Sequence, residues 1–174
     1  MLAPLLLVIV VAIVWFFMVP GQQFLPAFAR LLTAATIQRS VFSVFSGLSY
    51  ATGQFCGRDV AIRLQLKRGR YAQGYLVVAV HTGGPPVLDY NGIEALARDE
   101  AGRRALFTIA AHDLLLNVEG GWLKTMWRPQ GFVIFPGPFS EEKWRPVLEA
   151  METVAASLDA APKGAVTLEN AGDS

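Results

Sequence analysis

Three patterns of apolar and polar positions divide the chain. The first is an uncharged apolar run from Leu2 to Val19, interrupted only by Pro4. A helix over residues 2–20 reaches about 28 Å at ~1.5 Å per residue, close to the ~30 Å hydrocarbon core of a bilayer. Leu5, Leu6, Leu7, Val10 and Val11 are its membrane-spanning candidates, followed by Ile13, Val14, Phe16 and Phe17. The alternative is an export signal cut near Ala29, since "AFA" at Ala27–Ala29 has the small residues of a cleavage site. No Lys or Arg precedes the run, and "GQQFLP" makes a long spacer, so a retained anchor fits better.

The second pattern has near-helical spacing. Phe24, Phe28, Leu31, Leu32, Ala35, Val41, Phe45 and Leu48 recur at intervals that predict an amphipathic connector over residues 21–50. Its apolar side has three candidate neighbours: the membrane surface, the chain's own domain, or a partner's transmembrane helices. Phe24, Phe28, Leu31, Phe42 and Phe45 are the contact candidates.

The third pattern is strand-like. Val60, Ile62, Leu64 and Leu66 alternate with Asp59, Ala61, Arg63, Gln65 and Lys67, the mark of a half-buried strand. Tyr75–Val80 is apolar on both faces and predicts a more central strand, with "KRGRYAQG" as the hairpin loop between. "GGPPVLDYNG" is punctuation, and a short helix follows from about Ile93 to Arg98. Leu114, Leu116 and Val118 lead into "EGG" and return through Trp122–Arg128, a second hairpin, with "GFVIFPGP" as another short strand. From Ser140 a helix carries Trp144, Val147, Leu148, Met151, Val154, Ala155 and Leu158 on one stripe, with Pro146 delaying its regular start to about Arg145.

These elements predict an α+β protein. An N-terminal transmembrane helix (1–20) and a helical connector (21–50) lead to a small antiparallel sheet of about five strands with a covering C-terminal helix (51–159). A flexible or partner-bound tail (160–174) ends it.

Charge adds an orientation. Residues 20–80 hold seven Lys/Arg against Asp59 alone; residues 81–174 hold eight against thirteen Asp/Glu. With no base before the apolar run and Arg30 and Arg39 close behind it, the positive-inside rule predicts the N-terminus outside and the domain cytoplasmic. Arg58, Arg63, Lys67, Arg68 and Arg70 are either a solvated strand face or contacts for anionic lipid. The acidic far half and the lack of a recognition motif argue against nucleic acid.

Catalytic chemistry finds little support. Cys56, the single cysteine, reads as a packed small residue, and its alternative is a nucleophile that would need an imidazole held by a carboxylate beside it. His81, His112 and Asp113 lack the close spacing of a zinc site, and no cofactor motif is present. "HTGGPP" could offer backbone N–H groups to a phosphate, but reads more simply as a turn after a strand. Trp122 and Trp127 are five apart on one strand and so face opposite ways; one of them belongs to an interface or beneath another element. The expected role is therefore non-catalytic: an accessory subunit working with other integral membrane proteins in a hetero-oligomeric complex. A lipid- or ligand-binding domain and a small anchored enzyme using Cys56 or His112 are the alternatives.

Overall fold

The computed structural model describes residues 4, 6–11, 25–38, 50–67, 73–127 and 141–161. Its centre is one seven-stranded antiparallel sheet: β1 (Thr33–Gln38), β2 (Tyr50–Phe55), β3 (Arg58–Lys67), β4 (Gln73–His81), β5 (Val87–Leu88), β6 (Leu115–Glu119) and β7 (Trp122–Trp127). The spatial order is β1-β2-β3-β4-β7-β6-β5. The first four strands are a meander. The chain then crosses to the far edge, passes through α1 (Tyr90–Leu96) and α2 (Glu100–Ala110), and returns inward through β6 and β7. Helix α3 (Glu141–Ala160) completes the domain.

Strand alternation becomes a two-sided sheet. Ala51, Ile62, Val78, Thr125 and Leu116 form one register row on the buried face. Val60, Val80, Leu123, Val118 and Leu88 form the next. Helix α3 supplies the cover with Trp144, Val147, Leu148, Met151, Val154, Ala155 and Leu158, all at most 1% exposed. Each such side chain contributes roughly 1.5–3 kcal/mol of burial as an upper estimate. Trp144 anchors the helix start, packing edge-on against Trp127 at 5.6 Å and against Phe28 at 5.1 Å.

Helix α3 begins at Glu141, earlier than Pro146 suggested. Proline removes only the hydrogen bond to the carbonyl of residue 142, and Pro146 lies on the exposed side where water can replace it. Two helices stand where one was expected. Asp89 caps α1 by accepting from the Gly92 N–H, and Asp99 caps α2 by accepting from the Gly102 N–H. Small Gly102 and Ala105 are buried on α2, which packs along α3.

The connector departs most from expectation. Among the described residues of this stretch, helix covers 25–29 and residues 33–38 form β1. Phe28, Leu31 and Leu32 are buried in the chain's own core. Phe24, Phe42 and Phe45 lie outside the described residues, as does the expected strand "GFVIFPGP". Among the spanning candidates, Leu6, Leu7, Val10 and Val11 fall within a described helical stretch, 6–11; Leu5, Ile13, Val14, Phe16 and Phe17 lie outside the description. No helix among the described residues is long and apolar enough to cross a membrane.

One core position conflicts with its surroundings. The Thr125 hydroxyl is fully buried between Val78 and Leu116 and finds no hydrogen-bond partner among the described residues. Thr125→Val keeps the shape and removes the stranded oxygen, and should raise the unfolding free energy by about 1 kcal/mol in urea titration. A loss of stability would show that the hydroxyl is satisfied.

Candidate functional site

The strand after which "HTGG" follows ends at His81. Its backbone amides do meet an anion, but an internal one. Asp159, in the last turn of α3, accepts from the Thr82 hydroxyl at 2.7 Å and from the Gly83 N–H at 2.6 Å through Oδ1. Its Oδ2 accepts from Arg58 Nη1 at 2.5 Å. Arg58 Nε reaches Glu152, almost two turns earlier on α3, at 3.3 Å. A Cβ on Gly84 would come within 2.8 Å of the Leu158 carbonyl oxygen, so the second glycine allows the helix end to approach. The phosphate-cradle reading of "HTGGPP" is therefore displaced by a structural lock: the Gly83 donor is occupied.

A carboxylate at a helix C-terminus opposes the helix dipole. Burial also works against its charge, but the hydrogen bonds from Thr82, Arg58 and Gly83 outweigh both and hold Asp159 below the usual aspartate range. Arg58 is thereby neutralised by Asp159 and Glu152, and stands apart from the basic set expected to meet lipid. Arg63 is exposed on the sheet's open face; the Lys67 side chain, Arg68 and Arg70 lie outside the described side chains.

The nucleophile candidates are separated. Cys56 and Gly57 form the two-residue β2–β3 turn, with φ of 51° and 82°. Positive φ at both positions is the geometry that matches strand twist in a tight hairpin. Cys56 is consequently exposed at the turn, not packed in the core. His112 follows α2 at the opposite end of the sheet, where β6 begins. His81 sits on the open face, edge-on to Trp122 at 5.2 Å. No group of three metal-ligating side chains occurs among the described residues. A groove of about 700 Å³ between α1 and α2 is open and lined by Tyr90, Asn91, Glu94, Arg98, Arg103 and Phe107.

The feature that sequence reasoning missed is the sheet face that no described element covers. Arg63, Val77, Met126 and Leu115 form one row across β3, β4, β7 and β6, with Tyr50 at the β2 end. Leu115 is 75% exposed and Met126 55%. The neighbouring row is Ala61, Ala79, Lys124 and Asn117. Lys124 donates to Glu119 at 2.6 Å, which holds Glu119 below its ordinary range and pairs two of the charges on this face. Trp122 lies on this face and Trp127 on the one α3 covers. The strand alternation held the signal: Leu115 and Met126 stand at polar-phase positions.

Searched against protein-family models, curated proteins and solved structures, the chain gives no match.

The Asp159 lock has a pH signature. A carboxyl whose folded pKa is depressed contributes stability above its unfolded pKa, near 4, and loses it as pH falls through the folded value. Asp159→Asn should lower the unfolding free energy by about 1–2 kcal/mol at neutral pH, a figure reduced for partial exposure. The gap from wild type should shrink as pH drops from about 5 to about 3. Equal pH dependence in the two proteins, by denaturant titration across that window, would exclude the lock.

Proposed function

We propose that the protein is a membrane-anchored, non-catalytic accessory subunit whose α+β domain docks an integral membrane partner through the open sheet face. The carrying observation is the row Val77–Met126–Leu115, apolar and open on a face that no described element covers. A large apolar side chain on a sheet face phased for water marks a surface used for contact. Helical Leu6–Val11 supports the anchor: six consecutive aliphatic residues, each at least 48% exposed, favour an apolar surrounding outside the domain. The basic flank from Arg30 onward favours a cytoplasmic domain with the N-terminus outside.

Solubilised in mild detergent, the wild-type chain should elute with other membrane proteins at a mass well above 18.9 kDa plus its micelle. Leu115→Asp and Met126→Asp together should release it as a monomer with unchanged circular dichroism, because both side chains are exposed and leave the core intact. A wild-type monomer under the gentlest conditions would refute the reading.

A further inference from the structure

The charges of the open face are sorted by row. One row, described above, runs from Tyr50 through Arg63, Val77 and Met126 to Leu115. The middle row is Thr52, Ala61, Ala79, Lys124 and Asn117. The next, toward the Cys56–Gly57 turn, is Gln54, Asp59, His81, Trp122 and Glu119. The first row carries Arg63 and no acid; the third carries Asp59 and Glu119 and no Lys or Arg. Each outer row also holds a large apolar group on β7, Met126 in one and Trp122 in the other. Arg63 and Asp59 share β3 in the same way, two row-steps apart.

Such a face is its own complement. A second copy can be turned over about a two-fold axis that runs along the middle row, between the two facing sheets. Each strand then lies over its own counterpart with its direction reversed, and the first row of each copy stands over the third row of the other. Arg63 meets Asp59 across β3, Met126 meets Trp122 across β7, and Val77 meets His81 across β4. On the axis itself Ala61 and Ala79 add little bulk, and Lys124, bonded to Glu119, lies beside its counterpart. The other aligned axis, along β4, would set Arg63 over Met126 and Asp59 over Trp122, pressing charges against apolar groups. Twist rotates packed sheets by ~30°, which moves β3 and β7, ~4.8 Å from the central strand, by about 3 Å, within reach of an arginine.

We propose that the integral membrane partner of the open face is a second anchored copy of this chain, paired about that axis. The pairing rests on the reading of the open face given above and names its partner. Five strands ~4.8 Å apart and three rows ~7 Å apart make a patch of roughly 400 Å² a side, about half the ~800 Å² of a stable complex. Dilution of the purified protein in excess detergent therefore parts the copies. A bilayer that holds both anchors brings them together by raising their effective concentration.

Cys56, the single cysteine and an exposed one, supplies the probe. The full-length chain is labelled there with a donor or an acceptor fluorophore, and the two are reconstituted together into vesicles at low density. In the pair each Cys56 lies five residues of strand from the axis, so the two stand about 30 Å apart at ~3.3 Å per residue. Energy transfer should exceed that between unpaired copies and fall when unlabelled protein is added. Arg63→Asp alone and Asp59→Arg alone should each lower transfer several-fold, because each sets like charges opposite one another. Both side chains are exposed, and both variants should keep the wild-type circular dichroism. Donor-labelled Arg63→Asp mixed with acceptor-labelled Asp59→Arg should recover the transfer, since every such contact then joins opposite charges. Transfer indifferent to the two reversals, or not recovered in the mixture, overturns the pairing. Transfer no higher than between unpaired copies overturns it as well. The reading of the open face survives that last result if Leu115→Asp with Met126→Asp still releases the chain from a complex with a different membrane protein, and falls with it if the wild type is a monomer in mild detergent.

Discussion

One helix closes one face of the sheet, and the rest of the architecture follows from that asymmetry. Helix α3 lays an apolar stripe across the central strands and is fixed at both ends. At its start Trp144 is wedged between Phe28 and Trp127; at its end Asp159 is held by Thr82, Gly83 and Arg58. The two fixings differ in kind. The aromatic one is burial, insensitive to salt and pH, whereas the polar one depends on a charge. Between them they set the helix register, while strand alternation decides which residues of β4 and β7 face the helix.

Covering one face leaves the other with a composition that water alone does not explain. An antiparallel sheet with a solvated side ordinarily alternates apolar and polar positions. Arg63, Asn117, Glu119 and Lys124 obey that rule, while Val77, Met126 and Leu115 break it in one row and Trp122 and Val87 in another. The stripe sealed beneath α3 and the open row opposite leave a domain with one closed side and one side that no described element covers.

The sequence was legible where a pattern is local. β3 and β4 announced themselves through alternation and a continuous apolar run, and the stripe of α3 marked its inward side correctly. β1 and β2 were not legible. "YATGQF" has few strong strand formers, and Gly53 is there because Leu32 and the Thr33 carbonyl come within 2.9 Å of where its Cβ would lie. "TAATIQ" is an edge strand with a bulge at Ala34, whose φ is 51°. Phe28, Leu31 and Leu32 continue an apparent helical spacing into it, which is why helix was expected there. The Asp159 lock spans 77 residues from Thr82 and 101 from Arg58, a distance no local motif carries. Once the fold brings those groups together, "HTGG" changes from a ligand loop to a helix dock.

Methionine oxidation by hydroxyl radicals reads both faces of the sheet at once. Met151 is fully buried on the inner side of α3 and Met126 is exposed on the open side of the sheet, and oxidation of the thioether follows access. In the purified full-length protein Met126 should oxidise readily while Met151 stays protected; in native membranes, with the partner in place, Met126 should become protected too. Equal oxidation of the two methionines in the purified protein would contradict the one-sided fold, and unchanged Met126 oxidation between purified protein and native membranes would contradict the use of the open face.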